Sequence, residues 1–213
     1  MSLIEFDRAR GEVVAGADEA GRGCLAGPIV AAGVRFDYSR ISDPDISTLG
    51  ELNDSKKLTA QRREELLPEI TRIASSVAVI VRSSVYIDAF GLHRTNLHCL
   101  GSALVRVKSA ESRLVSDGYM PFGIDDPCEA VVKGDATSAA IAAASIVAKV
   151  SRDRFMRRAA EIHDGWGFEQ HVGYATPAHQ AAIIELGLTP LHRRSFASVA
   201  YEQLELGAVA AVA

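Results

Sequence analysis

Two adjacent carboxylates follow a short apolar run near the start of the chain. The run covers residues 14–17, and Asp18, Glu19 and the turn Gly21-Arg22-Gly23 come after it. Because a buried carboxylate carries a large desolvation cost, two acids at the exit of a buried strand must face water or meet positive charge. A divalent metal ion is the leading candidate for that charge.

Two further acids are candidates for the same cluster. Asp117 follows the end of a predicted strand. Asp153 lies on a long predicted helix, where Ser145, Lys149 and Asp153 are four residues apart in succession and therefore line one face. Repulsion between carboxylates about 4 Å apart is on the order of 4 kcal/mol at an effective dielectric constant of 20, so their convergence needs cations. Oxygen ligands select hard ions, so these residues predict Mg²⁺ or Mn²⁺. Two such ions, about 3.5 to 4 Å apart, are typical of phosphodiester hydrolysis.

Each acid also has a plainer interpretation. Residues 18–19 could form a solvated turn, Asp117 a tight turn with the glycine after it, and Asp153 a surface pair with Arg157. Asp135 competes for the fourth position, although its place just before a helix favours a helix N-cap. Spacing alone therefore supports a site for a hard metal and nothing finer.

Basic, glycine and aromatic residues are candidates for contact with a nucleic acid. The turn Gly21-Arg22-Gly23 offers backbone groups that a sugar-phosphate can approach closely. Cationic and stacking candidates in loops or on an exposed helix face are Lys56, Lys57, Arg62, Arg63, Arg193, Arg194 and Tyr174. A solvated surface is the alternative for the charged pairs, and half-buried packing is the alternative for the tyrosine. We interpret Cys24 as a small buried hydrophobe.

Composition restricts the class of protein. With 213 residues, 48% of them hydrophobic, the chain can bury a sizeable core, and we expect one large domain. The net charge of −4 argues against coating of nucleic acid by bulk charge, so any polyanion site must be local. Three cysteines without metal or disulfide spacing fit a reducing compartment. Because we find no signal-peptide core and no membrane span, we expect a soluble, cytoplasmic protein.

Strand and helix patterns alternate, which predicts an α/β fold. The predicted strands cover residues 12–17, 29–36, 77–81, 113–116 and 129–132. The predicted helices cover residues 59–74, 85–90 (a short helix or turn), 92–109, 138–163, a segment begun by Thr176-Pro177, and 197–206. We expect a loop between residues 37 and 53, and we expect Pro68 to kink or split its helix because proline removes a hydrogen bond.

Six motifs, in this order, resemble the type 2 ribonuclease H family in its bacterial ribonuclease HII branch. They are residues 18–23 (DEAGRG), 53–58 (NDSKKL), 133–135 (KGD), 143–153 (AASIVAKVSRD), 171–176 (HVGYAT) and 192–196 (HRRSF). The resemblance implies a ribonuclease H-like α/β fold, with a central mixed β-sheet flanked by helices and a helical C-terminal portion. It implies a single catalytic domain over 1–213, with a substrate-binding portion at about 165–205 and a flexible tail at 207–213.

The resemblance also implies roles for individual residues. Asp18, Glu19, Asp117 and Asp153 would be the catalytic carboxylates that bind two Mg²⁺ or Mn²⁺ ions. The Gly21-Arg22-Gly23 turn would contact the ribose 2′-hydroxyl at an RNA-to-DNA junction, and Tyr174 would stack on the following deoxyribose. The remaining substrate-binding residues would be Ser55, Lys56, Lys57 and Arg193.

The activity implied by the resemblance is endonucleolytic hydrolysis of RNA. Its substrates would be RNA/DNA hybrids and DNA duplexes with embedded ribonucleotides, cut 5′ to a single ribonucleotide to leave 3′-hydroxyl and 5′-phosphate ends. The roles would be ribonucleotide excision and RNA primer removal. We expect a monomer that binds no membrane, and any replication or repair protein partner stays unidentified.

Three residues depart from the family pattern. Cys24 stands where proline is common, Ser116 where an apolar residue is common, and Val172 where lysine is common. The last change removes one possible phosphate contact, which would weaken binding slightly and lower its salt dependence.

Three other functions compete with this one. Ribonuclease HIII shares the fold and carries an extra N-terminal domain, which we do not expect with 17 residues before Asp18. A non-catalytic nucleic-acid-binding module would tolerate loss of any of the acids. A resolvase or transposase of the same superfold would prefer branched DNA free of ribose.

Overall fold

The computed structural model describes residues 1–52 and 58–210, and its centre is one five-stranded sheet. The strands are β1 (Val13–Ala20), β2 (Ile29–Asp37), β3 (Ser76–Arg82), β4 (Arg113–Asp117) and β5 (Cys128–Val131). The helices are α1 (Leu3–Arg8), α2 (Asp43–Gly50), α3 (Ala60–Ile73), α4 (Ser84–Phe90), α5 (Leu92–Val107), α6 (Ala139–Ile162), α7 (Phe168–His171), α8 (Pro177–Leu186) and α9 (Val199–Ala210). None of the helices in these two ranges is long and apolar enough to cross a membrane.

The sheet is mixed, in the order β3-β2-β1-β4-β5. β1 pairs antiparallel with β2 and parallel with β4, and β5 continues the parallel half. Helices flank the sheet, which confirms the predicted fold class. Because β1 lies in the middle, its carboxyl end meets the carboxyl end of β4 near the centre of the sheet.

β1 continues through the two acids and does not stop before them. The prediction ended this strand at residue 17, whereas Asp18 pairs with Ala32 and Glu19 with Ala31 of β2. The ladder to a long neighbouring strand holds residues that have low β-propensity by themselves. The carboxylates are therefore fixed by sheet geometry.

Three helices, α1, α2 and the four-residue α7, lie where the sequence pattern predicted none. α1 begins with a capping box, in which Glu5 accepts from the Ser2 backbone N–H at 2.7 Å and Ser2 accepts from the Glu5 N–H at 3.2 Å. α2 lies in the expected loop and has Pro44 in its first turn. Pro68 lies inside α3 and does not split it.

The C-terminal helix also differs from its predicted bounds. α9 begins two residues later than expected and runs to Ala210, so residues 207–210 of the predicted tail are helical. Residues 211–213 lie outside the part of the chain that the structure describes. The predicted helices at residues 85–90 and 92–109 correspond to α4 and α5.

α6 packs unusually closely on β1. A Cβ atom on Gly16 would lie 2.5 Å from the Ile141 nitrogen and 2.8 Å from Ala140 Cβ. The glycine in the strand and the small alanines of the helix therefore allow the two backbones to approach. On the other face of the sheet, Gly33 gives α5 the same close approach at Ala103. The two helices thus reach the strand ends from opposite faces.

α1 anchors the first turn of α6. The fully buried Asp7 accepts from the Tyr38 hydroxyl at 2.6 Å and from the Ala140 backbone N–H at 2.9 Å. Ser138 is the N-cap of α6 and accepts from the Ile141 N–H at 3.2 Å. These contacts satisfy donors that the start of a helix leaves free, and they set where α6 begins.

Candidate active site

Asp18 and Asp117 lie side by side on neighbouring parallel strands. Ala17 of β1 is in register with Ser116 of β4, so the residue that follows on each strand is an aspartate. Alternation along the strands places both carboxylates on the face covered by α6. Ser145 of α6 donates a hydrogen bond to Asp18, and Asp117 accepts from the Gly134 backbone N–H at 2.6 Å.

Glu19 points to the opposite face of the sheet, towards α5. Its carboxylate lies 3.5 Å from the Arg22 guanidinium, which also lies over the Tyr119 ring at 4.7 Å from the ring centroid. One carboxylate oxygen, Oε2, is buried and has no hydrogen-bond partner. An unpartnered buried oxygen is costly, so this atom is suited to a ligand that the protein itself does not supply.

Burial and mutual repulsion disfavour negative charge on the two adjacent acids. Burial, followed by the negative charges of Glu19 and Asp117, raises the pKa of Asp18 well above its usual range, against the hydrogen bond from Ser145. Burial also raises the pKa of Glu19, although Arg22 opposes the shift. A cation bound among the three carboxylates would restore the charged forms of both groups.

Asp153 interacts with cations of the protein. It is buried, its Oδ1 lies 2.8 Å from Lys149 Nζ, and its Oδ2 lies 3.9 Å from an Arg63 guanidinium nitrogen. Arg157 pairs with Glu64 at 3.5 Å, which excludes the surface pair considered for Asp153. The structure therefore brings Asp18, Glu19 and Asp117 together. It pairs Asp153 with Lys149, which lines the same groove as Glu19 and Asp117.

The donor set fits a hard divalent cation. Within residues 1–52 and 58–210, no three acidic, histidine or cysteine side chains converge tightly enough to form a finished metal site. The buried, unpartnered Glu19 oxygen and the repulsion among the carboxylates nevertheless favour Mg²⁺ or Mn²⁺, which prefer oxygen ligands.

A groove of about 350 Å³ joins the carboxylates to the predicted substrate-binding residues. Its lining includes Glu19, Asp117, Lys149, Tyr174, Ala20 and the turn Gly21-Arg22-Gly23. Four parts of the chain that are distant in sequence thus open onto one space. A polyanion in this groove would meet Lys149 and Arg22 beside the carboxylates.

The two glycines of the turn differ in what surrounds them. Gly21 has a φ of +97°, and a Cβ there would lie 2.6 Å from Arg152 Cδ, so the fold itself requires glycine. Around Gly23, by contrast, a Cβ would meet no described atom within 4 Å. The open approach expected for a sugar is therefore at Gly23.

Tyr174 stands at the edge of the groove. Its side chain is exposed, against the half-buried packing considered as the alternative, and Lys149 Nζ lies 5.1 Å from the centre of its ring. A short β-bridge connects Tyr174 to Cys24, which is fully buried as expected. The glycine turn and the tyrosine are thus joined by backbone contacts.

Arg193 does not contact the groove, which corrects the prediction that it binds phosphate. Its side chain is fully buried and donates to the carbonyls of Gly27 at 3.0 Å, Arg22 at 2.9 Å and Pro28 at 3.1 Å. Burial lowers the pKa of Arg193 to about 10. With its three nitrogens satisfied by loop carbonyls, the guanidinium is unavailable to a ligand.

Two other residues lie elsewhere than expected. Arg63 is buried, not exposed, and donates to the Leu58 carbonyl at 2.6 Å. Asp135 lies in a short 3₁₀ turn, and the N-cap of α6 is Ser138. The predicted contacts Ser55, Lys56 and Lys57 lie outside the described residues.

Asn96 is a site residue that the sequence analysis missed. It is fully buried on α5, and neither atom of its side-chain amide has a partner within the 3.5 Å of a direct hydrogen bond. The amide is close enough to Glu19, however, to favour the charged form of that carboxylate. A polar residue on the otherwise apolar face of α5 was the signal that could have identified it. No spacing rule connects it with a carboxylate 77 positions earlier.

The chain is similar in sequence and in fold to proteins of known family. Residues 15–199 match the family model described as Ribonuclease HII. The chain is 49% identical to Ribonuclease HII of Rhizobium leguminosarum bv. trifolii (strain WSM2304) over 184 residues, which are 86% of this chain and 77% of that protein.

Solved structures share the fold. The ribonuclease H2 from Pyrococcus horikoshii OT3 superposes with a TM-score of 0.73 at 25% identity, covering 91% of this chain and 98% of that one. Bst-RNase HIII in complex with Mn²⁺ superposes with a TM-score of 0.74 at 19% identity, covering 95% of this chain and 72% of that one. The second likeness concerns the fold alone.

Proposed function

Because this chain belongs to the ribonuclease HII family, and is therefore a ribonuclease H, we propose that it cuts DNA duplexes 5′ to single embedded ribonucleotides as well as RNA in RNA/DNA hybrids. The products would carry 3′-hydroxyl and 5′-phosphate ends. The observation that carries the proposal is the groove that Glu19 and Asp117 line together with the open Gly23, with the buried Asp18 interacting with both acids behind it.

The carboxylates would hold two divalent ions. When bound, Mg²⁺ or Mn²⁺ would supply an activated water and neutralise charge on the phosphate. The hydrogen bonds from Ser145 to Asp18 and from Gly134 to Asp117 support the orientation of these side chains. Asp153 would complete the set after its ion pair with Lys149 opens. Lys149 would then be available for a phosphate oxygen.

The substrate side of the groove would recognise the junction between sugars. The backbone at Gly23 is open to a ribose, and the 2′-hydroxyl both donates and accepts hydrogen bonds. Tyr174 would stack on the deoxyribose that follows, with Lys149 close to its ring. The Tyr174 loop and α8 would then be part of the substrate-binding portion expected at about residues 165–205.

A cleavage assay on a DNA duplex with one ribonucleotide tests the proposal. We expect a cut 5′ to the ribonucleotide with Mg²⁺ or Mn²⁺, and none with EDTA. An all-DNA duplex of the same sequence is the control and should stay intact. If the ribonucleotide duplex stays intact with either metal, the proposed activity is wrong.

Variants of the acids separate an enzyme from a binding module. Asp18→Asn and Asp153→Asn should keep affinity for the substrate and abolish cleavage, because each neutralises a group proposed to bind metal. Unchanged cleavage in both would favour a non-catalytic role for these residues. A four-way DNA junction, included in the same assay, should not be cut, which distinguishes the chain from a resolvase.

A further inference from the structure

Two buried arginines lie behind the loops that form the substrate side of the groove. Arg152 of α6 and Arg193 are both 0% exposed. Within the described ranges, neither has a carboxylate within the 4.0 Å of an ion pair. A buried charge without an acidic partner carries a high desolvation cost, so its hydrogen bonds must compensate for that cost.

Arg152 joins the two loops directly. Its guanidinium donates to the Val172 carbonyl at 2.8 Å in the loop that leads to Tyr174. It also donates to the carbonyls of Ala26 at 2.9 Å and Pro28 at 3.0 Å, which follow the glycine turn. One rigid, planar group therefore sets the distance between the two segments.

Arg193 holds the glycine turn from the other side. It donates to the carbonyl of Arg22, within the turn, and to those of Gly27 and Pro28. Both arginines thus donate to the Pro28 carbonyl. We name the pair Arg152 and Arg193 the arginine clamp.

The loops are shaped around the clamp. Gly27, with a φ of +90°, would place a Cβ 3.1 Å from Arg152 Nη2, and Gly21 is equally restricted by Arg152 Cδ. Val172 has a φ of +44°, a left-handed conformation that is strained for a β-branched residue, and Arg152 holds its carbonyl. Such strain persists only where the surroundings enforce it.

Backbone contacts complete the connection. The Leu25 N–H donates to the Gly173 carbonyl at 2.9 Å, and the Arg193 N–H donates to the Leu25 carbonyl at 2.8 Å. The turn, the tyrosine loop and the C-terminal loop therefore form one unit. The metal-binding acids Asp18 and Asp117, by contrast, are fixed by the sheet.

We propose that the arginine clamp sets the spacing between the Gly21-Arg22-Gly23 turn and Tyr174, and through it the preference for a ribonucleotide junction over a continuous hybrid. The proposal rests on the junction cleavage proposed above. Arg152 and Arg193 act as positioning residues because their nitrogens are occupied by carbonyls. Contacts to a single 2′-hydroxyl and to the next sugar must be correct at once, whereas a continuous hybrid offers many equivalent registers.

Charge-preserving variants test the clamp. Arg152→Lys and Arg193→Lys keep the charge, but an ammonium group cannot reach three carbonyls in the same plane. We expect kcat/KM on the single-ribonucleotide duplex, divided by kcat/KM on a continuous hybrid of equal length, to fall about tenfold or more. Mn²⁺ affinity, measured by calorimetry, should stay within about twofold of the parent because Asp18, Glu19 and Asp117 are held by the sheet.

A stability-matched control separates positioning from general damage. Leu104→Ala removes a buried side chain on α5, away from the clamp, and should lower the melting temperature without changing the ratio of the two substrates. If the lysine variants lose both activities equally, as a purely structural defect would, the clamp proposal is overturned.

A measurement on the parent protein avoids any folding defect. Amide hydrogen exchange should show the N–H groups of Leu25 and Gly27 protected as strongly as those of β1, because the clamp makes the loops as rigid as the sheet. Exchange as fast as in an exposed loop would contradict the clamp. A parent protein that leaves the single-ribonucleotide duplex intact would instead refute the proposed function, and the exchange result would still decide whether the clamp exists.

Discussion

At the scale of single residues, the two glycines of the turn have different physical requirements. Gly21 is confined by Arg152 and by a positive φ, whereas Gly23 borders open space. The same residue type therefore serves folding at one position and access at the other. This separation can be measured, since one substitution should affect stability and the other only activity.

We predict that Gly23→Ala leaves the free energy of unfolding within about 0.5 kcal/mol of the parent and reduces junction cleavage. The matched variant Gly21→Ala should destabilise the fold by about 1 to 3 kcal/mol, because the new Cβ meets Arg152 and the backbone is strained. Urea denaturation and the single-ribonucleotide assay measure the two effects. Full activity in Gly23→Ala would show that no sugar approaches there.

Asn96 shows a conflict between stability and function at one residue. Replacing it by leucine removes two unpartnered polar atoms, so we predict that Asn96→Leu stabilises the metal-free protein by about 1 kcal/mol. The same change removes the amide beside Glu19, so Mn²⁺ affinity should fall about tenfold or more. Thermal melting without metal and calorimetric titration with Mn²⁺ measure the two effects.

Ser116→Ala is the control for that prediction. Ser116 is fully buried and its hydroxyl also lacks a hydrogen-bond partner, but it does not act on the charge of Glu19 as Asn96 does. The substitution Ser116→Ala should stabilise the protein and leave its Mn²⁺ affinity unchanged. Equal losses of affinity in both variants would argue against a specific role for Asn96.

At the scale of elements, α8 and the segment after it hold the Tyr174 loop through two imidazoles. The Thr189 backbone N–H donates to His192 Nδ1 at 2.9 Å, so the proton of neutral His192 is on Nε2, which lies 3.1 Å from His179 Nε2. His179 then carries its proton on Nδ1, which lies 2.8 Å from the Tyr174 carbonyl. This series of hydrogen bonds can form only when both imidazole rings are neutral.

The hydrogen bonds through these two histidines predict that the protein loses stability in acid. Burial lowers the pKa of both His179 and His192 to about 4, from about 6.5 in the unfolded chain. A depressed histidine pKa contributes stability that is complete above pH 6.5 and is lost as pH falls towards 4.

The pH effect is measured by urea unfolding at pH 7.5 and pH 5. His179→Gln should be less stable than the parent at pH 7.5. Between pH 7.5 and pH 5 its free energy of unfolding should fall by less than that of the parent, because the variant lacks one of the two histidines with a depressed pKa. His98→Gln, at an exposed position of α5, is the control and should follow the parent. Parallel pH dependence in all three proteins would contradict the assignment.

At the scale of the whole molecule, α6 connects the core, the carboxylates and the arginine clamp. Its first turns pack on Gly16, its middle carries Ser145 and Lys149, and Arg152 follows on the next turn. A displacement of the helix at one end would therefore reach the site at the other. Close packing transmits such a shift because the core has no space to absorb it.

We predict that Gly16→Ala destabilises the protein by about 1 to 3 kcal/mol and lowers activity on both substrates alike, because its Cβ would push against Ile141 and move all of α6. Gly50→Ala is the control, since a Cβ at Gly50 meets no described atom within 4 Å and alanine favours the end of α2. Chemical denaturation and both cleavage assays measure the outcome. A selective loss of junction cleavage in Gly16→Ala would contradict the prediction.

The sequence by itself determined the features that depend on near neighbours along the chain. Thr59 and Thr176 cap their helices as predicted, because a side chain that bonds a backbone group three residues later needs no other part of the protein. The alternation of strands and helices and the acids at Asp18 and Asp117 were readable for the same reason. The short helices α1, α2 and α7 were not predicted, because a helix of eight residues or fewer shows little hydrophobic periodicity.

Only the tertiary structure decided which polar groups face the groove and which are buried. In the sequence, nothing distinguishes Arg193 and Arg63 from cations that face solvent, yet both are buried. The carbonyl that Arg193 binds at Gly27 is 166 positions away, and no local pattern encodes a partner at that separation. The sequence determined that two acids and a glycine turn lie together at the end of one strand. The packing of α6 and of the C-terminal loop determined how they are held, since hydrogen bonds of buried cations depend on segments that meet only in the folded chain.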